Sequence, residues 1–300
     1  MKKLHYYLLD VFTDEVFGGN QLAVFPAGQE VPEHLMQKIA KELNLSETTF
    51  VLPSANPAND IKLRIFTPGA ELPMAGHPTV GTAYVLLHKG YVKPTQNKLI
   101  FEEGVGDITV DFEKEGNALG LITMAQPLPR FGEIVTDTQI LADLLSIHPD
   151  EIETSYPAQT VSCGVPFFYI PLKSLAAVEK AKLRLDVLEK HFSPLGIDSI
   201  FIFTSETVTP TGTVHARMFS PSLGIPEDPA TGSASGPLGC YLVTYGLVPA
   251  QPVSHIISEQ GFAMGRPSIL HINIGTEQNK ITSVKVGGKS VLVGEGYIYL

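Results

Sequence analysis

The sequence predicts an α+β protein of two related halves, each a set of strands wrapped around one buried helix. Three observations carry that prediction. Apolar runs of strand length outnumber helical patterns, a block of the chain recurs after about 150 residues, and each copy leads into an uncharged helix. A helix that is apolar all round belongs inside a core, not on a surface.

The strand-length runs are His5–Leu9, Leu22–Phe25, Thr49–Leu52, Leu63–Phe66, Phe167–Pro171, Ile200–Thr204, Val214–Phe219, Ile269–Ile274 and Val291–Val293. Helical periodicity predicts Glu33–Leu43, Pro78–His88, Gln139–Leu145, Leu175–Ala181, Val187–Phe192 and Pro229–Tyr245. Between them lie most of the 27 Gly and 23 Pro, so the high count reads as turn punctuation.

The recurrence is specific. Arg64-Ile65-Phe66-Thr67-Pro68 matches Arg217-Met218-Phe219-Ser220-Pro221. His77-Pro78-Thr79-Val80-Gly81-Thr82-Ala83 follows the first copy, and Asp228-Pro229-Ala230-Thr231-Gly232-Ser233-Ala234 follows the second. Both apolar stretches end near a glycine, at Gly90-Tyr91-Val92 and Gly246-Leu247-Val248. Upstream, Leu45–Phe50 aligns with Ile197–Ile202, which sets Ser199 opposite Glu47. A period this long means two related domains and not a solenoid of short repeats.

Composition excludes several classes. At 300 residues and 44% hydrophobic, the chain can bury a full core. The net charge of −10 lacks the basic footprint of a nucleic-acid or anionic-membrane surface. Two cysteines, Cys163 and Cys240, are too few for a disulfide framework or a cysteine metal cage. Met1-Lys2-Lys3 begins like a signal peptide, but His5, Asp10, Asp14 and Glu15 interrupt any apolar region, and a cytoplasmic protein is expected. The charge-free run Ala230–Ser258 is long enough to span a bilayer, yet its glycines and prolines fit a buried helix and a loop. Gly287-Gly288-Lys289-Ser290 lacks the first glycine of a phosphate loop, with Ser283 in its place, and runs into a strand. Gly232–Gly236 puts Ala234 where a nucleophile elbow needs serine. No histidine spacing signals a metal.

The chemistry concentrates at the two helix starts. His77 and Asp228 read as cap residues, each followed by a proline at the first helical position, where a missing N–H costs nothing. The next turn is built of Gly, Ser, Thr and Ala, which leave backbone N–H groups open to close approach. Two such starts facing a cleft between the halves would hold an anion, most economically a substrate carboxylate. Gly76, Gly232 and Ser233 are the expected donors. Glu47 stands at the entry to an apolar strand, where an acid gains nothing by packing. A solvated strand-end glutamate is one reading. The other is a general base for carbon acids, helped by a low-dielectric cleft, with His77 and Asp228 relaying or stabilising the proton. Such a constellation needs neither metal nor cofactor. Asp10 and Asn20 fit turn chemistry with a secondary chance of touching the site, and Cys163 fits a small buried residue.

These motifs resemble the PhzF family, the phenazine-biosynthesis-type isomerases of the diaminopimelate epimerase-like superfamily. The likeness runs from Asp10–Phe25 through Leu45–Phe50, Gly76–Gly81 and Glu227–Ala234 to Val286-Gly287-Gly288. It implies two pseudo-symmetric halves, each a barrel-like sheet around a central helix, with the active site between them. The implied division is 1–127, then 128–283, with 284–300 returning to the first half. Carried over by position, the general acid/base falls on Glu47, its partners on His77 and Asp228, and substrate contacts on Ser46, Gly76, Gly232 and Ser233. Superfamily members that use two opposed cysteines carry them where this chain has Ala75 and Thr231, so two-cysteine racemisation is not expected. The resemblance also implies a homodimer. The expected function is a cofactor-independent isomerase moving a proton on a small carboxylated metabolite. A one-base epimerase, or a carboxylate-binding protein without turnover, are the alternatives.

Overall fold

The computed structural model describes residues 2–94, 96–116 and 118–300. The chain divides into two compact units: one runs to Ala125 and resumes at Gly287–Leu300, and the other is Gln126–Val286. In chain order the elements are β1 (Lys3–Val11), β2 (Asn20–Phe25), α1 (Glu33–Leu43), β3 (Glu47–Leu52), β4 (Ile61–Phe66), β5 (Glu71–Leu72), α2 (Gly76–His88), β6 (Lys98–Glu103), β7 (Gly106–Glu115) and β8 (Ala118–Gln126). They continue with β9 (Arg130–Val135), α3 (Thr138–Leu145), β10 (Ala158–Ser162), β11 (Pro166–Pro171), α4 (Leu175–Lys180), α5 (Leu185–Val187), β12 (Ile200–Thr204), β13 (Val214–Ser220) and β14 (Ile225–Asp228). The last are α6 (Gly232–Thr244), β15 (Val253–Gln260), β16 (Ser268–Glu277), β17 (Lys280–Gly288) and β18 (Ser290–Tyr299).

The two units share one strand plan. In the first, β18, β1, β2, β3, β4, β6, β7 and β8 lie side by side, with β2–β3 and β4–β6 parallel and the other pairs antiparallel. In the second, β9, β10, β11, β12, β13, β15 and β16 repeat that order, with β11–β12 and β13–β15 parallel. Every parallel pair requires a crossover. Helix α1 makes the first in one unit and the α4–α5 segment makes it in the other; α2 and α6 make the second. The sequence recurrence is therefore a duplication of strand pairing, and the protein is α+β.

Helices α2 and α6 are the buried elements around which each plan is organised. Helix α2 is buried at every position from Gly76 to Ala83 and packs on β1, β2, β3, β7 and β18. Gly81 permits that approach, because a Cβ there would lie 2.6 Å from Leu22 and 2.7 Å from Val11. Helix α6 is buried from Ala234 through Val243 and packs on β10, β11, β15 and β16. Gly239 brings it against Ile272 and Ile274 of β16. Mean apolarity without a polar face, legible in the sequence, is thus explained by burial on all sides.

Several strands escape a search for continuous apolar runs. In β8 burial alternates along Ala118–Gln126, the period-two signature of a strand with only one face in a core. Strand β7 interleaves Asp, Glu and Lys with Ile108, Val110 and Phe112, and so reads as polar on average. The near-miss phosphate motif is a strand end: Gly288 closes β17, a Cβ on Gly287 would meet the carbonyl of Ile122, and β18 begins at Ser290.

The duplicated Arg-x-Phe motif has a physical basis in each unit. Arg64 of β4 makes two bonds to Glu71 of β5, at 2.7 and 2.8 Å, one to Glu33 at 2.8 Å, and lies over the Phe66 ring. Arg217 of β13 makes two bonds of 2.8 Å to Glu227 of β14 and lies over Phe219. Its remaining nitrogen donates to the carbonyls of Val178, Glu179 and Ala181 at 2.9, 3.1 and 2.9 Å. Both arginines therefore pin the short strand that leads into the central helix. They differ in burial: Arg217 is 8% exposed, whereas Glu33 on Arg64 is a surface group. Arg217→Ala leaves a half-buried carboxylate and three carbonyls without their donor, and is expected to cost about 3 kcal/mol. Arg64→Ala is expected to cost about 1 kcal/mol. Urea unfolding of the two variants beside the wild type measures the difference, and equal losses contradict this account.

Candidate functional site

In the first unit, the entry to β3 and the start of α2 meet. Glu47 is the first residue of β3, beside Leu22 of the parallel strand β2, and is 8% exposed. His77 is the second residue of α2 and is 4% exposed. Their Oε2 and Nε2 atoms are 3.1 Å apart. A hydrogen bond joins the His77 ring to the main chain of Gln21. Burial pushes the His77 imidazole down to about 3, against the opposing pull of that bond, so the ring is neutral at physiological pH. Ser46, half-buried, precedes Glu47, and the buried Gly76 precedes His77 as the first residue of α2.

In the second unit, Asp228 ends β14 opposite Met218 and is buried. The Thr231 hydroxyl donates to Asp228 Oδ2 at 2.5 Å. Gln260, the last residue of β15, holds the same segment with both ends of its amide. Its Nε2 donates to the Asp228 carbonyl at 2.8 Å and to Thr231 Oγ1 at 2.9 Å, and its Oε1 accepts the Thr231 N–H at 3.1 Å. Gly232 opens α6, and its carbonyl accepts from Gln126 Nε2 at 2.9 Å. Ser233 is the second helical residue and is half-buried. Neither Ala75 nor Thr231, the two N-cap residues, caps its own helix with a side chain. First-turn N–H groups without a side-chain cap are suited to an anion.

The helix starts differ from the sequence expectation. His77 and Asp228 are not caps: α2 begins at Gly76, so His77 is helical, whereas Asp228 belongs to a strand that ends before α6. Pro78 is tolerated at the third helical position because first-turn N–H groups have no intrahelical partner in any case. The apparent motif match is consequently out of register. Gly76 and Gly232 are 156 positions apart, but His77 and Asp228 are 151 apart. The hydroxyl bonds confirm the structural register, since Thr79 bonds the Ala75 carbonyl at 2.7 Å and Ser235 bonds that of Thr231 at 3.0 Å. The true counterpart of His77 is Ser233. That of Asp228 is Leu72, since Leu72 faces Ile65 as Asp228 faces Met218. The ladders of β3 and β12 do set Glu47 at the register of Ser199.

Two polar residues that pattern reading passed over hold these helix starts. Glu103 and Gln260 each end a strand and precede a glycine, Gly104 and Gly261. A buried polar residue followed by glycine at matching positions of both halves was the available signal. Of the lesser candidates, Asp10 accepts the N–H of Phe17 at 2.7 Å and so fixes the turn before β2, where Phe17 and Gly19 have positive φ. Asn20 is fully buried as the first residue of β2. Cys163 and Cys240 are buried free thiols with sulfurs 3.9 Å apart, and Cys240 lies well inside α6. Among the described residues no cluster of His, Cys, Asp and Glu is arranged to hold a metal ion, and no helix is long and apolar enough to cross a membrane.

Comparison with known proteins agrees with the resemblance seen in the motifs. Residues 9–296 match the family described as phenazine biosynthesis-like protein. An isomerase of Mesorhizobium japonicum is 34% identical, with all of both chains covered. The trans-2,3-dihydro-3-hydroxyanthranilate isomerase of Pseudomonas chlororaphis is 32% identical over 99% of each chain. The crystal structure of a Bacillus anthracis phenazine biosynthesis protein of the PhzF family superposes with a TM-score of 0.92, at 28% identity and full coverage of both chains. By class, then, the protein is an isomerase. Within that class, the chain belongs to the phenazine biosynthesis-like, or PhzF, family.

The neutral state of His77 has a consequence for stability. Its folded value lies below the unfolded value of about 6.5, so the unfolded chain binds a proton first as pH falls. The contribution is therefore complete above about pH 6.5 and is lost progressively as pH falls toward about 3. Between about pH 7 and pH 5 the wild type is expected to lose about 2 kcal/mol more than His77→Gln. Parallel pH dependences of the two proteins in urea unfolding would show that His77 is protonated in the folded state.

Proposed function

We propose that the protein is a cofactor-independent isomerase that moves a proton on a small carboxylated metabolite, with Glu47 as the general acid/base. The observation that carries this reading is the buried Glu47–His77 contact of 3.1 Å, with the imidazole held neutral. An imidazolium would lock Glu47 into an ion pair and reduce its basicity. A neutral ring has one N–H. With that hydrogen directed to the main chain of Gln21, Nε2 is left as an acceptor, which steadies Glu47 once it has taken a proton. Glu47 then alternates between base and acid, its negative charge passing to the substrate when it takes the proton and returning when it gives the proton back, while the imidazole stays neutral.

The substrate carboxylate is assigned to the helix starts. Ser46 and the N–H groups that follow Ala75 in the first unit, and Gly232 and Ser233 in the second, are assigned to substrate binding. Asp228, kept in place by Thr231 and Gln260, is assigned a supporting role in proton transfer. The relatives named for trans-2,3-dihydro-3-hydroxyanthranilate act on an unsaturated ring carboxylate, which makes cyclic, unsaturated carboxylic acids the substrate class of choice.

The test is incorporation of solvent deuterium into carbon-bound positions of such acids, followed by mass spectrometry. The wild type is expected to turn over and label a member of the panel. Glu47→Gln is expected to be slower by about 10²–10⁴-fold. Asp228→Asn and His77→Gln are expected to be impaired less. A Glu47→Gln variant that labels substrate as fast as the wild type would refute the assignment.

A further inference from the structure

Glu103 is a buried carboxyl to which the proposed reaction gives no part. It ends β6, is 6% exposed, and its Oε1 lies 2.6 Å from Thr79 Oγ1 in the first turn of α2. Thr79 Oγ1 is also 2.7 Å from the carbonyl oxygen of Ala75. A hydroxyl has one hydrogen, and a carbonyl can only accept. The Thr79 hydrogen therefore goes to Ala75, and the hydrogen between Thr79 and Glu103 must come from Glu103. The other carboxyl oxygen, Oε2, is buried with no hydrogen-bond partner among the described residues, a position that a charged oxygen would occupy at high cost.

The second unit shows what this position requires. Ile61 of β4 pairs with Phe101 of β6, and Val214 of β13 pairs with Ser258 of β15, so Glu103 and Gln260 stand at the same register. Gln260 grips the residue before α6 with an amide, an uncharged group carrying both a donor and an acceptor. A protonated carboxyl is its closest chemical equivalent.

From this geometry we infer that Glu103 is a positioning residue that works as an uncharged acid, holding the Ala75–Thr79 turn that presents Gly76 and His77, and that its ionisation in alkaline solution releases that turn and slows isomerisation. The inference rests on the reading that this turn serves the reaction. Burial pushes the Glu103 carboxyl up to about 8, so it is protonated at neutral pH.

The surrounding charges are already committed. From β4, Lys62 pairs with Glu102 at 3.0 Å, and Arg64 is taken by Glu71 of β5 and Glu33 of α1. Asp107 of β7 accepts from Asn59 at 2.6 Å, and His77 of α2 is neutral.

Infrared difference spectroscopy of the full chain, wild type minus Glu103→Gln, reads the protonation state without any substrate. A protonated-carboxyl band is expected at about pH 7 and is expected to disappear by about pH 9.5. Deuterium labelling of substrate then gives the pH profile. The wild type is expected to lose rate on the alkaline side, and Glu103→Gln to keep most of the neutral rate without that alkaline loss. Glu103→Leu, which cannot bond Thr79, is expected to lose about tenfold to a hundredfold in kcat. Absence of the band at neutral pH, or an unchanged alkaline limb in Glu103→Gln, would overturn the inference. If the band behaves as expected while Glu47→Gln labels substrate at the wild-type rate, it is the assignment of Glu47 that fails and not the protonation of Glu103.

Discussion

A helix buried on every face sets the terms for the rest of this protein. Helices α2 and α6 present no polar side to water, so strands must surround them, and their first turns must find partners inside the protein. That need recruits the same device twice: an arginine–glutamate pair fixes the short strand before each helix, and a strand-final polar side chain grips the helix start. Small residues in the first turn follow from the same constraint, since the helix must lie close against its strands. A rigid, partly uncapped helix start is then both a structural result and a chemical resource.

The duplication separates scaffold from chemistry. Positions that organise packing are kept in kind in both units, as with Arg64 and Arg217, Glu71 and Glu227, or Gly90 and Gly246. Positions assigned to proton transfer are not. Glu47 stands opposite Ser199, His77 opposite Ser233, and Asp228 opposite Leu72. The first unit thereby acquires a carboxylate–imidazole pair, and the second a hydroxyl and an aspartate held by an amide. Under the reading proposed above, one unit carries the acid/base and the other its supporting aspartate, so the two units have no need to match at these positions.

The repeat also shows how a sequence match can be right about ancestry and wrong about equivalence. Histidine-proline and aspartate-proline occur before similar small residues, and side-by-side reading pairs them. Hydrogen bonding does not: proline follows a strand in one unit and sits inside the first helical turn in the other. Both sites accept proline because neither uses its missing N–H. The spacing from Gly90 and Gly246 back to the helix starts was the correct guide, since two helices of equal length must keep one offset throughout.

By itself the sequence determined the fold class, the two halves, the central helices, the strands with continuous apolar runs, the family and the candidate residues. These are legible because they depend on local periodicity and on motifs contiguous in the chain. Strands with one solvated face were not, since alternating charge conceals them from a search for apolar runs. Only the tertiary structure decided that His77 is neutral, that it stands 3.1 Å from Glu47, and that Glu103 and Gln260 stand at the same register beside the helix starts. Each of those depends on burial and on groups brought together from distant strands, and the free energy of a proton at such a site is set by what surrounds it.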